Sequence, residues 1–180
     1  MGLFMDEKFP ELIKQARVAH SPLIAIETAD NMATINRIAS ALRADTPLIQ
    51  WDLGRGWTSV VTPVDGVMVE NQNGVAAMAE LKVSGLGAKN PITCLEYAAS
   101  LPGKAADPYR PGTVLLMHNA HEFLADLEFT QWLLNLRDPF KKTMRTVVLL
   151  GPSFASLPTK LVHHVEVLSD PLPTSDELET

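Results

Sequence analysis

Short apolar runs that alternate with amphipathic segments constrain the fold of this chain more than any other sequence feature. The runs consist mostly of Leu, Ile and Val, and they occupy residues 23–26, 48–51, 114–117 and 146–150. Strands that are buried on both faces have this composition, and such strands are typical of parallel sheets covered by helices. The sequence therefore predicts an α/β domain with three layers and a mainly parallel sheet.

The segments between the runs predict helices and one inserted β-hairpin. A helical stripe of apolar residues follows the first run, and Asp30 stands just ahead of it as a suitable N-cap. Asp65 and Gly66 favour a tight turn between two strands, predicted at residues 58–62 and 67–70. Further elements are predicted as two short helices within residues 74–101 and a last strand at residues 162–168.

The length of 180 residues suits one domain. We predict that residues 1–168 form this domain. Residues 169–180 contain prolines and several acidic residues, which is typical of a connecting segment. We therefore expect an acidic, proline-containing linker after the domain.

Charge and cysteine content exclude several classes of function. The formal net charge is −6, with a sequence pI near 5.3, which disfavours a nucleic-acid-binding surface. Cys94 is the only cysteine, so the fold cannot depend on an internal disulfide. The sequence shows no secretory signal and no apolar stretch long enough for a membrane span. We expect a cytoplasmic protein that binds neither nucleic acid nor membranes.

The loop after the first predicted strand carries acids where a phosphate-binding ATPase would carry glycines and a lysine. Such a loop needs the pattern Gly-x-x-x-x-Gly-Lys-Ser/Thr, because backbone amides and the lysine must hold phosphate oxygens. Here the chain reads Glu27, Thr28, Ala29, Asp30 and Asn31, and no other segment fits the pattern. Two carboxylates at this position would repel a nucleotide.

The end of the third predicted strand carries His118 and Asn119 where a magnesium-binding aspartate and a glutamate would be needed for hydrolysis. His121 and Glu122 follow, but no cysteine lies near them and their spacing is not that of a helical metal-ligand pair. We therefore predict no metal site and no catalytic residue in these 180 residues.

The carboxyl ends of parallel strands are the usual place for ligands, so polar residues there are the candidate site. We expect one surface for docking a protein, or a vestigial site, formed by Glu27, Thr28, Asp30, Trp57, His118, Asn119 and His121. Two plainer interpretations stay open. Polar residues at strand ends can simply face water, and tryptophans at a strand end often pack in the core.

Several segments together resemble the N-terminal domain of AAA ATPases encoded in chloroplast and cyanobacterial genomes, with relatives in bacteria and phages. The segments that carry the resemblance are residues 23–28, 51–56, 114–124, 147–152, 157–161 and 171–178. In that family a degenerate ATPase-like domain with a sheet of the RecA and AAA type precedes a complete AAA module. The family pattern has an aspartate where this chain has Asn119, which weakens any residual metal role.

The resemblance implies a non-catalytic domain that assembles, docks or recruits a partner. Its implied partners are the AAA module of the same protein, another protein or further copies of itself. ATP and magnesium would belong to that module, and no cofactor to this chain. Two alternatives stay open: an active nucleotide-binding enzyme that uses Glu27, Asp30, His118 or Glu122, and a free-standing adaptor.

Overall fold

The computed structural model describes residues 8–81, 89–104 and 111–171. The helices in these ranges are α1 (Lys8–Val18), α2 (Asn31–Ala41), α3 (Gln72–Glu80), α4 (Pro91–Ala98), α5 (Leu127–Lys142) and the short α6 (Thr159–Val162). The strands are β1 (Leu23–Glu27), β2 (Leu48–Asp52), β3 (Gly56–Ser59), β4 (Val61–Val64), β5 (Val67–Glu70), β6 (Val114–Met117), β7 (Thr146–Gly151) and β8 (Glu166–Ser169). A single 3-10 turn, Ala120–Phe123, separates β6 from α5 in this part of the chain.

Six of these strands form one sheet in the order β3-β2-β6-β7-β1-β8. All neighbours pair in parallel except β3, which runs antiparallel to β2. The predicted α/β class with a mainly parallel sheet is therefore confirmed, and the architecture is consistent with the RecA and AAA type. The chain moves from β1 towards β2 on one side, and it later crosses from β7 past β1 to β8 on the other. This reversal beside β1 marks the crevice where such sheets bind ligands.

Helices cover both faces of the sheet because successive strand residues point to opposite faces. Ile24, Val148 and Leu150 pack with α1 and α2 in one buried cluster. Leu115 and Leu149 pack with α3, α4 and α5 in the other. The central strands β1, β6 and β7 are almost wholly apolar because both faces of the sheet are covered there, which explains the continuous runs in the sequence.

Two strand boundaries differ from the prediction. The strand predicted at residues 58–62 divides at Val60, which is buried, so its first part joins the large sheet as β3 and its second part pairs with β5 as β4. The strand predicted at residues 162–168 starts only at Glu166, because Pro158 opens the helical turn α6. Gly85 and Gly87 also predict a turn between the two short helices within residues 74–101, and this turn lies outside the described residues.

A buried carboxylate fastens the end of β8 to α2. Asp170 is 3% exposed and accepts hydrogen bonds from Thr34 Oγ1 at 2.6 Å and Arg37 Nε at 3.2 Å, and Arg37 Nη2 forms an ion pair with it at 3.0 Å. Its backbone amide donates to Glu27 O at 2.9 Å. Ser169 is the last residue of β8, and the buried Asp170 directly after it is held by the contacts above. Residues 172–180 lie outside the described ranges, and the linker there stays a prediction.

These contacts predict different effects for two changes near the end of the chain. Asp170→Ala removes the anion that Thr34 and Arg37 bond in a buried site, and we expect it to lower the free energy of unfolding by about 2 kcal/mol. Deleting residues 172–180 should lower the thermal midpoint by less than about 2 °C, against about 4–8 °C for Asp170→Ala. Calorimetry of both variants tests this. An equal or larger loss from the deletion would place those residues in the folded core.

Candidate functional site

The connection between β1 and α2 is short and closed by its own hydrogen bonds. The Thr28 hydroxyl accepts from the Asp30 amide at 3.0 Å and shares a hydrogen bond with Thr34 Oγ1, 2.8 Å away, while the single Thr34 hydroxyl hydrogen is donated to Asp170. Asp30 caps α2, since its Oδ1 accepts from the Ala33 amide at 3.0 Å. A helix N-terminus attracts anions because its first amides have no partner within the helix. Here the chain supplies an anion of its own, the Asp30 carboxylate, at the N-terminus of α2.

Glu27 is held over the neighbouring strand end. Its Oε2 accepts from the Phe154 amide at 3.0 Å, and the next residue, Thr28, donates its amide to Gly151 O at 2.8 Å. An open depression of about 380 Å³ lies beside Glu27 at the carboxyl ends of β1, β7 and β8. Its lining, as far as the described residues show, contains two acids and no lysine or arginine: Glu27, Thr28, Ala29, Pro152, Ser169, Asp170 and Pro171.

His118, at the end of β6, is hydrogen-bonded on both ring nitrogens. Gln50 Nε2 donates to Ser59 O at 2.8 Å, so Gln50 Oε1 faces His118 Nε2, 2.8 Å away, and must accept from it. His118 Nδ1 lies 3.2 Å from Asn31 Nδ2, which has only hydrogens to offer. These contacts select the neutral imidazole with its hydrogen on Nε2. These hydrogen bonds join β2, the end of β6 and the start of α2.

Burial also favours the neutral form of His118. Loss of hydration lowers the pKa of His118 below its ordinary value, a nearby Asp52 carboxylate acts in the opposite direction, and Arg55 lowers it further. The hydrogen-bond pattern and the direction of the pKa therefore agree. His118 is a structural connector in its neutral state.

Asn119 and His121, on the turn after β6, have different surroundings. Asn119 is exposed, has φ 52°, and its Oδ1 lies 3.4 Å from Asn31 Nδ2. His121 packs on the end of β7, where a Cβ added to Gly151 would lie 2.6 Å from the His121 Nδ1 atom. That nitrogen is buried without a hydrogen-bond partner among the described residues. Glycine is needed at position 151 because the ring approaches the strand so closely.

Trp57 does not belong to the surface predicted for it. Its side chain is 4% exposed and packs in the core cluster, opposite Trp51 in the β2–β3 pair. The structure instead brings Thr28 and Asp30 together on one loop, and places His118 and Asn119 against Asn31 at its far end. Within the described ranges, no three His, Cys, Asp or Glu side chains come close enough together to hold a metal ion.

Sequence reasoning missed three residues that organise this edge of the sheet: Asn31, Gln50 and Asp170. Gln50 is 6% exposed and interrupts an otherwise apolar strand. A polar residue at a buried strand position needs a hydrogen-bond partner, and this requirement was the available signal. Asp170 follows the last strand directly, but its acidic, proline-containing surroundings made it look like part of the linker.

A comparison with protein families identifies the family to which the chain belongs. Residues 7–169 match the family described as SpoVK-like AAA ATPase, N-terminal domain. The chain belongs to this family. Neither the comparison with curated proteins nor that with solved structures gives a match. This match confirms the resemblance of the SpoVK-like domain to the N-terminal domain of AAA ATPases, which the sequence segments indicated.

None of the helices described in the SpoVK-like domain is long and apolar enough to cross a membrane.

The His118 network predicts how stability depends on pH. Because the folded-state pKa of His118 lies below the ordinary value of 6.5, the unfolded state takes up the proton first as pH falls. His118 therefore contributes its full stabilisation above about pH 6.5, and loses it progressively as pH falls towards the folded-state pKa.

We expect His118→Gln, which cannot titrate but offers both a donor and an acceptor, to flatten the decline in unfolding free energy between about pH 7.5 and pH 5.5. Urea denaturation of the SpoVK-like domain at several pH values measures this. His163→Gln removes an imidazole from an exposed position and serves as the matched control. Identical pH profiles for His118→Gln and the wild type would contradict the assignment.

Proposed function

We propose that this SpoVK-like domain is a non-catalytic ATPase-like module that docks a protein at the carboxyl ends of its strands. One observation carries the proposal: the Asp30 carboxylate caps α2 at the place where an ATPase of this fold would bind phosphate. The domain keeps the architecture of a nucleotide-binding sheet while its own side chain occupies the anion position.

Electrostatics support the same conclusion. A bound nucleotide would bring its phosphates next to Asp30 and near Glu27, and like charges at about 4 Å repel by several kcal/mol close to a protein surface. The lining of the depression beside Glu27 includes no lysine or arginine in the described residues, and the Arg37 guanidinium beside it is already paired with the buried Asp170 carboxylate. The charge favours a cationic partner group instead.

At the place where an ATPase of this fold would bind magnesium, two side chains of the domain contact each other instead. Magnesium would have to sit between the start of α2 and the end of β6, and these two places are joined directly by Asn31 and His118. Neutral amide and imidazole groups supply little of the negative charge that a magnesium ion needs. We infer that this edge is stabilised by its own hydrogen bonds rather than by a nucleotide and a metal.

An enzyme with an unorthodox site would need its acids and histidine in one cavity. Glu27 lines the depression beside β7 and β8, whereas Asp30 caps α2, His118 bonds Gln50, and Glu122 is exposed on the 3-10 turn. Groups that point into different surroundings cannot act on one substrate together. The docking function accounts for the arrangement better.

The proposal assigns ATP and magnesium to an AAA module of the same protein and none to this domain. Its partner would be that module, a client protein or another copy of the chain, in the cytoplasm. The SpoVK-like domain would then position or recruit, while the module hydrolyses ATP. Nucleic acid and membranes are not part of this proposal.

Titration calorimetry with ATP and magnesium tests the non-catalytic part. We expect no heat of binding and no magnesium-dependent hydrolysis, because the phosphate position is closed by Asp30. A separately expressed AAA module under the same conditions provides the positive control. Binding of one ATP per chain with micromolar affinity would overturn the proposal.

A double variant that keeps the fold but removes charge tests the docking part. In Glu27→Gln with Asp30→Ser, the glutamine oxygen can still accept from Phe154 and the serine can still cap α2, so the unfolding free energy should change by less than about 1 kcal/mol. We expect at least tenfold weaker binding of the purified AAA module. Glu11→Gln with Glu80→Gln removes the same charge from exposed positions elsewhere and should bind like the wild type. Equal binding by both double variants would contradict docking at this edge.

A further inference from the structure

The β4–β5 hairpin carries a concentration of exposed apolar side chains. Val64, Val67, Met68 and Val69 are 52%, 64%, 62% and 44% exposed. Val64 pairs opposite Val67, and Val69 pairs opposite Thr62 on the same face, so three valines form one continuous apolar face. An exposed apolar face of this kind indicates an interaction surface, whereas single exposed apolar residues are ordinary.

The hairpin has a regular tight turn, and one of its two edges can pair with another strand. Asp65 and Gly66 have φ of 50° and 77°, the two positive values of a type I′ turn. In such a two-residue hairpin Val64 and Val67 exchange hydrogen bonds, so the next pair, Pro63 and Met68, directs its backbone nitrogens outward. Proline has no N–H, so the outer edge of β4 cannot donate at this position.

The outer edge of β5 has no such block. Met68 and Glu70 direct their amides and carbonyls away from β4, and β5 pairs only with β4 among the strands of the described chain. An edge with regularly spaced free backbone groups accepts an additional strand. The hairpin thus combines an apolar face with one edge open to strand pairing.

The base of the hairpin is fixed to the end of the sheet opposite the candidate site. The Ser59 hydroxyl donates to Glu70 Oε1 at 2.6 Å. Asn71 Oδ1 accepts from the Leu48 amide at 3.2 Å, at the start of β2. The candidate site lies at the carboxyl ends of the strands, so the hairpin is a separate surface, and its role does not depend on docking at that site.

Size and charge indicate which partner fits. Pairing of two such hairpins from two copies would join two strands of four residues, far less than the roughly 800 Å² per partner of a stable interface. The hairpin exposes the acids Asp65 and Glu70, and residues 56–81 contain no lysine or arginine. Two copies would bring like charges together, whereas a basic partner would be attracted.

We propose that the β4–β5 hairpin is a docking arm that binds a protein segment in extended conformation, with apolar side chains on the valine face and basic residues at its ends. The segment adds as a strand along β5. Its lysine or arginine side chains lie near Asp65 at the tip and Glu70 at the base.

A pair of synthetic peptides tests this proposal on the 180-residue chain. Both peptides alternate valine and threonine, and one carries a lysine at each end while the other carries a glutamate. We expect the lysine peptide to bind at least tenfold more tightly than the glutamate peptide, by fluorescence anisotropy. Hydrogen exchange at the Met68 and Glu70 amides should slow when the lysine peptide binds.

Met68→Pro gives β5 the same block that Pro63 gives β4, and we expect at least tenfold weaker peptide binding. A second variant, Val67→Thr with Val69→Thr, keeps the strand propensity and removes the apolar face, so it should weaken binding even where the proline disturbs the hairpin. Val18→Thr changes an exposed valine on α1 and is the control. Circular dichroism and the thermal midpoint show that each variant is folded.

Three results would overturn the proposal. The first is the absence of binding or of exchange protection with the lysine peptide. The second is binding that Met68→Pro and the double threonine variant leave unchanged. The third is a concentration-dependent dimer, detected by light scattering, that Met68→Pro dissociates, because the occupant of the β5 edge would then be a second copy.

Discussion

The buried carboxylate of Asp170 is the constraint on which the carboxyl-terminal edge of the sheet depends. A charged group that is 3% exposed must be paired, and here Arg37 and the Thr34 hydroxyl pair it. The Thr34 hydroxyl oxygen is also hydrogen-bonded to the Thr28 hydroxyl, which shapes the turn between β1 and α2. The last strand β8, the helix α2 and the loop between β1 and α2 are therefore held by one connected set of hydrogen bonds.

This set explains why the edge is built from acids and amides instead of glycines and a lysine. A phosphate-binding loop leaves its backbone amides free for the nucleotide, whereas the amides of Asp30 and Ala33 here donate to side chains of the same loop. The His118 contacts do the same for the end of β6. Such an edge is ordered before any partner arrives, which reduces the entropy that a docking partner must overcome.

The sequence predicted the sheet well, because a short continuous apolar run in a chain of this length fits few structures other than a buried strand. β7 is buried at all six positions, and its run was the clearest strand signal. The prediction was less accurate where a residue type occurs both at the surface and in the core. Trp57 was predicted as part of the surface because it borders a polar turn, but it packs in the core because burial of its large apolar area outweighs the cost of its indole nitrogen, which has no hydrogen-bond partner in the described chain. Gln50 and Asp170 depend on contacts distant in sequence, which no local pattern encodes.

Pro63 has a consequence for the number of partners that the β4–β5 hairpin can hold. A strand pair with two open edges can grow in both directions, and repeated growth leads to ribbons and fibrils. With the β4 edge blocked at Pro63, two copies that paired through β5 would present only blocked edges, so self-association of the hairpin could not extend beyond a pair. The proline therefore leaves the hairpin one edge for strand pairing, and it lets the chain expose three valines without making the hairpin a template for polymerisation.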